Sequence, residues 1–212
     1  MPLLTDLLKP TLTKVRQVDL LPTYSEAIEI LRLISEATVT EISSSHIDFK
    51  GVFNLWNVEF VDALADELRC MGPPIVEVGA GNGKLSYHLR QRGIPVIATD
   101  DYSGGITQNH SIVERLTHIG ALAKYLPSTV LASGVPYIAN DVLEFHTVDC
   151  FIQIYAINRF HPDIPSRMVL QRLGFHETIL ERVQAFGVSS GDYYPNGLGH
   201  TVVSLLSRQN NH

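Results

Sequence analysis

The fold is decided by IVEVGAGNGKLSYHL, Ile75 to Leu89. An apolar run carrying one acid, Glu77, passes into glycines at alternate positions, Gly79, Gly81 and Gly83, and apolar residues then resume with helical spacing. This pattern predicts a strand over Ile75–Gly79, a tight turn, and a helix over Gly83–Arg92. In a parallel sheet, ligands sit at the carboxyl ends of the strands, where such a turn falls. Glycine there lets the backbone approach a ligand closely, and the helix start offers unbonded N–H groups.

Downstream, short apolar runs alternate with helical segments. Strands are expected at Pro95–Thr99, Ile112–Leu116, Thr129–Ser133 and Asp149–Ala156. Helices are expected through Leu122–Tyr125 and over Ser166–Leu173, the second stopped by Gly174. HETILERVQAF, from His176, and HTVVSLLSR, from His200, read as two more strands joined by a loop rich in Gly, Tyr and Asn. With no helix between them, they form an antiparallel pair at the sheet edge. The alternation predicts an α/β, Rossmann-like doubly wound sheet, mostly parallel and covered on both faces.

Upstream, residues 1–70 read as an N-terminal helical cap region, before a sheet domain at 71–212. SEAIEILRLISEA, from Ser25, places Ile28, Ile30, Leu31, Leu33 and Ile34 near one face, with Ser25 as the capping residue. NVEFVDALADELRC, from Asn57, does the same with Phe60, Val61, Leu64 and Leu68. Trp56, with Phe53 and Phe60, either packs a helix onto the sheet or closes over a substrate.

The ligand of the glycine turn follows from spacing. A P-loop needs Lys and then Ser or Thr after its last glycine, whereas Lys84 is followed by Leu85. The dinucleotide fingerprint needs a small residue three positions after its second glycine; counted from Gly81, that position is Lys84, bulky and charged. What remains, Glu77 followed by Gly79, Gly81 and Gly83, resembles the first motif of class I S-adenosylmethionine-dependent methyltransferases. VIATD, ending in Asp100, is similar to the segment where that family places a carboxylate on both ribose hydroxyls. LASGVP looks like its fourth strand and the following turn. GFHETILERV and GHTVVSLLSR are similar to its last two strands.

The resemblance covers about residues 71 to 210. It implies a seven-stranded sheet in the order 3-2-1-4-5-7-6, S-adenosyl-L-methionine as cofactor and S-adenosyl-L-homocysteine as product. It places Glu77, Gly79, Ala80, Gly81 and Gly83 at the methionine end, Asp100 on the ribose with Asp101 beside it, and Thr117 and His118 in the neighbourhood of the adenine. Ser133, at the end of the fourth strand, is expected to touch cofactor or substrate. His161, following the fifth strand in NRFHPDIP, is the candidate general base; His110 and His200 also fall in loops. The tyrosines of DYYPNGLGH either reach the pocket or flank a turn.

Composition narrows the acceptor. A net charge of −6 over 212 residues argues against a broad phosphate-binding surface. The segment SGVPY lacks the Asn/Asp-Pro-Pro-aromatic motif of methylases that act on nucleic-acid amino groups. A small-molecule acceptor, no nucleic acid and no membrane are therefore expected, with pairing of two copies left open. The two cysteines, Cys70 and Cys150, make neither a disulfide framework nor a metal site, and are expected to be buried. MPLLTDLLKP lacks a basic n-region and does not read as a signal peptide, so a cytoplasmic protein is expected. Two alternatives remain: a non-methylating enzyme that uses the bound cofactor's charge for a cyclisation or elimination, and a methyltransferase-like interaction module without turnover.

Overall fold

A computed structural model of the chain describes residues 13–15, 17–36, 54–103, 111–156, 167–188 and 201–208. Ahead of the sheet lie the helices α1 (Tyr24–Glu36) and α2 (Val58–Leu68). Then follow β1 (Ile75–Val78), α3 (Lys84–Gln91), β2 (Val96–Asp100), β3 (Val113–Arg115), α4 (His118–Tyr125) and β4 (Thr129–Ser133). After a 3-10 turn at Pro136–Ile138 come α5 (Ala139–Glu144), β5 (Cys150–Ala156), α6 (Arg167–Leu173), β6 (Phe175–Ile179), α7 (Glu181–Gln184) and β7 (Thr201–Arg208).

The seven strands form one sheet in the order β3-β2-β1-β4-β5-β7-β6, the order the resemblance implied. Strands β1 to β5 run parallel; β7 is antiparallel to β5, and β6 to β7. All four β1 side chains are buried, as a central strand covered on both faces requires. One face packs Ile75, Leu131, Ile152 and Val203 against α2 and α3, through Phe60, Leu64, Leu68, Leu85 and Leu89. The other packs Val76, Val78, Val130 and Phe151 against α4 and α5, through Leu122, Val142 and Leu143. No described helix is long and apolar enough to cross a membrane.

Local differences from the sequence expectations have physical reasons. Helix α1 is capped by Thr23 rather than Ser25. The Thr23 hydroxyl accepts from the Glu26 N–H at 3.3 Å, and the Glu26 carboxylate accepts from the Thr23 N–H at 2.8 Å, a reciprocal capping box. Its inner face is Ala27 and Ile30, while Ile28, one 100° step past Ala27, is 41% exposed. The segment after β6 is not a longer strand: Leu180 makes a last bond to Val203 and the chain turns into α7. Leu180 and Val183, three apart, then both reach the core beside α2. Cys70 is exposed and Cys150 only half-buried, because Cys70 lies in the turn past α2, off the face that Leu64 and Leu68 present to the core.

Candidate functional site

A cavity of about 330 Å³ lies at the carboxyl ends of β1, β2 and β4. Chain order reverses there, with β2 to one side of β1 and β4 to the other, so the ends of β1 and β4 leave a crevice.

The β1–α3 turn forms its floor. Gly79, Gly81 and Gly83 all have positive φ, at 68°, 59° and 79°. A Cβ on Gly79 would stand 3.1 Å from Val135 Cγ1, and one on Gly83 would stand 2.5 Å from Val113 Cγ2. Gly79 thus lets the loop after β4 close against the end of β1, and Gly83 lets the start of α3 pack on β3. The turn is tied to β2, since the Ala80 N–H donates to the Thr99 carbonyl at 3.0 Å and the Gly81 N–H to Asp100 Oδ2 at 2.8 Å. Asp100 Oδ1 accepts from the Tyr102 N–H at 2.6 Å. Each carboxylate oxygen has two lone pairs, so both keep one acceptor position for a ligand hydroxyl.

Glu77 is 1% exposed and accepts a hydrogen bond from the Ser86 hydroxyl, one turn into α3. Burial pushes its carboxyl up to about 7, opposed by the Ser86 bonds and reinforced by the negative charge of Asp100. A carboxyl whose ionisation is disfavoured by burial gains from a cationic ligand, which favours its charged form. Asp101, exposed at the rim, is held below the usual carboxylate range by its bonds from Ser103, whose N–H lies 2.9 Å from Oδ1.

The rest of the lining is drawn largely from distant parts of the chain, among them Val15, Asn54, Trp56, Ser133, Val135 and Tyr137. Asn54 Nδ2 donates to Ser133 Oγ, joining the residues ahead of α2 to the end of β4. Trp56 packs against Phe60, ring centroids 5.2 Å apart, as the packing reading requires, and also lines the cavity. Lys84 is the one cation among the described lining residues, against the carboxyl groups of Glu77, Asp100 and Asp101. Its ammonium is directed to main-chain carbonyls of Lys14, Val15 and Gln17. The cavity therefore carries an acidic field, suited to a cationic ligand and unsuited to a diphosphate.

Of the residues singled out from sequence, Glu77, Gly79, Ala80, Gly81, Asp100, Asp101 and Ser133 line the cavity together. Gly83 lies behind the turn at the start of α3, buried against β3. Thr117 is not brought to the cavity among the described residues: it is exposed and caps α4, accepting from the Gly120 N–H at 3.1 Å. His118 pairs instead with Asp141, 2.8 Å away. His161, His110, His200, Phe53 and the DYYPNGLGH loop lie outside the described residues. Sequence reasoning missed half of the lining, including Val15, Asn54, Lys84, Val135 and Tyr137. Only Lys84 left a trace: it shares a face with Leu85, His88 and Leu89, where a charge is unexpected.

No protein-family model matches the chain, and no curated protein matches it in sequence. Among solved structures, it is similar to magnesium protoporphyrin IX methyltransferase from Synechocystis PCC 6803 with bound SAM, at 17% identity over 70% of this chain and 78% of that one, TM-score 0.45. It is similar to the 23S rRNA methyltransferase ErmE at 15% identity over 75% and 70%, TM-score 0.45. It is similar also to precorrin-6y C5,15-methyltransferase from Geobacter metallireducens GS-15, at 10% identity over 73% and 89%, TM-score 0.46. Likenesses this distant assign no chemistry to the chain, whose functional reading rests on the cavity itself.

Proposed function

We propose that the chain is an S-adenosylmethionine-dependent methyltransferase acting on a small-molecule acceptor, with residues from 71 onward holding the cofactor and those before it covering the site. One observation carries the reading: a glycine turn at the crevice between β1 and β4, flanked by the buried Glu77 and by Asp100. The residues fit the cofactor. Asp100 keeps acceptor positions for two ribose hydroxyls, the positive-φ glycines keep side chains off the floor, and Glu77 offers a carboxylate to the ammonium group of the amino-acid end.

When bound, S-adenosylmethionine supplies an electrophilic methyl group on a cationic sulfur. The chain's own contribution is placement: the turn and Asp100 fix one reactant, and Trp56, Asn54, Ser133 and Tyr137 border the space left for the other. An acceptor that must lose a proton needs a base, a role assigned within this proposal to His161. The small-molecule acceptor rests on the net charge of −6 and on the three acidic groups in the cavity, which repel a phosphate backbone.

The test is calorimetric titration with S-adenosylmethionine and S-adenosylhomocysteine on wild type and Asp100→Ala. Binding is expected, weakened about ten- to a hundredfold in the variant, as loss of charged hydrogen bonds predicts. Absence of binding by folded wild type, or unchanged affinity in folded Asp100→Ala, contradicts the reading.

A further inference from the structure

Lys84 is 4% exposed, on the first turn of α3, directly after the glycine turn. A buried ammonium is costly unless its donors are satisfied. Here three donors meet three main-chain carbonyls: Lys14 at 2.5 Å, Gln17 at 2.7 Å and Val15 at 3.1 Å. One side chain thus gathers a short stretch of backbone nearly seventy residues away in sequence. His88, one turn further along α3, meets the backbone of Val18, so the two side chains hold neighbouring parts of the same stretch. Desolvation pushes the Lys84 ammonium down to about 8 and the His88 ring down to about 4, the cost of holding this contact in a buried place. Lys14 is anchored at its other end by Glu26 of α1, 2.7 Å away.

The consequence for the cavity is Val15. It is buried, packs with Ala27, Ile30 and Leu55, and faces the cavity together with Lys84, Glu77 and Asn82. We infer that Lys84 is a positioning residue for the cofactor, and that by gripping the Lys14–Gln17 backbone it sets Val15 as the wall that closes the amino-acid end of the site. This deepens the proposed function and rests on it, since that reading sets which end of the cavity holds the amino acid.

The two ends of the ligand are separable in the test. S-adenosylhomocysteine carries the amino-acid chain, and 5′-methylthioadenosine carries the same nucleoside and sulfur without it. Calorimetry with both ligands on wild type, Lys84→Met and Val15→Phe reads the difference. Lys84→Met removes the grip; Val15→Phe keeps all three bonds and pushes bulk into the amino-acid end.

Each variant is expected to lose about tenfold or more in affinity for S-adenosylhomocysteine, with 5′-methylthioadenosine held within about twofold. A role confined to stability would move both ligands alike. Equal losses for the two ligands, or unchanged S-adenosylhomocysteine affinity in folded Lys84→Met, overturns the inference. If Lys84→Met does not fold, Val15→Phe decides alone: selective loss supports the inference, equal or no loss overturns it. Failure of wild type to bind either ligand would instead sink the proposed function.

Discussion

Between Glu77 and Asp101 the cavity is walled mainly by backbone and by carboxylates tied to it; a second wall is made of side chains from residues 15, 54, 56, 133, 135 and 137. The first wall spans one β-α-β unit, and its shape is fixed by positive-φ glycines and by Asp100 bonding the turn to the end of β2. The second is assembled from three separate segments, joined by the Asn54–Ser133 bond and by Lys84 reaching back to residues 14–17. A wall made of backbone tolerates no added atoms. A wall made of side chains tolerates substitution and tunes what fits. Cofactor binding therefore falls on the first wall, with Val15 closing its amino-acid end, and acceptor choice falls on the remaining side chains of the second.

The largest expected effect breaks the first wall. In Gly83→Ala the new methyl meets Val113 Cγ2 at 2.5 Å on a residue with φ of 79°. Overpacking and backbone strain together should cost on the order of 3 kcal/mol of stability. Gly93→Ala is the control, with the same φ of 79° and nothing within 4 Å of the added carbon. It should cost only about 1–2 kcal/mol, the backbone part alone. Denaturant unfolding of both variants measures the gap, and equal losses would show that the contact with β3 is not a constraint.

The next effect is electrostatic. Burial pushes the Glu77 carboxyl from its ordinary 4.5 up to about 7 in the folded chain, which therefore holds an extra proton between those values. The stability this group contributes is full below about 4.5 and is lost as pH rises through about 7. Glu77→Gln should remove that dependence and raise stability at pH 8 by on the order of 3 kcal/mol, with little gain at pH 4.5. It should at the same time weaken S-adenosylmethionine binding, because the amide lacks the charge that meets a cationic ligand. Unfolding at the two pH values together with one titration checks both. A variant less stable than wild type at pH 8 would show that Glu77 is held ionised by something the cavity already contains.

The smallest effect falls on the second wall. Ser133→Ala removes the partner of Asn54 Nδ2 and should change S-adenosylhomocysteine affinity by less than about fivefold, since a neutral hydrogen bond contributes about 1 kcal/mol or less where water replaces it. A loss as large as that from Asp100→Ala would erase the distinction between the walls.

The same contrast explains what the sequence disclosed. The first wall was legible because its signals are local: alternate glycines after an apolar run, and an acid closing the next strand, lie within 25 residues of one another and answer to turn geometry. The bounds of β4, Thr129–Ser133, were legible for the same reason, whereas the sheet order followed only from the family resemblance. The second wall was not. Nothing near Val15 or Asn54 marks them, and their roles exist only once α2 packs on the sheet and Lys84 crosses to residues 14–17. Thr117 shows the converse: its place after β3 suggested a ligand contact, while its side chain serves the cap of α4. The ERVQ turn after β6 was read as strand because the pull of Leu180 and Val183 toward the core beside α2 is a tertiary effect.

The most direct measurement is a crystal structure of the chain with S-adenosylhomocysteine. The account predicts both ribose hydroxyls on the Asp100 carboxylate, the sulfur over Gly79–Gly81, and the amino-acid end between Glu77 and Val15. A ligand seated elsewhere, or one lying in this cavity with its ribose away from Asp100, would contradict it.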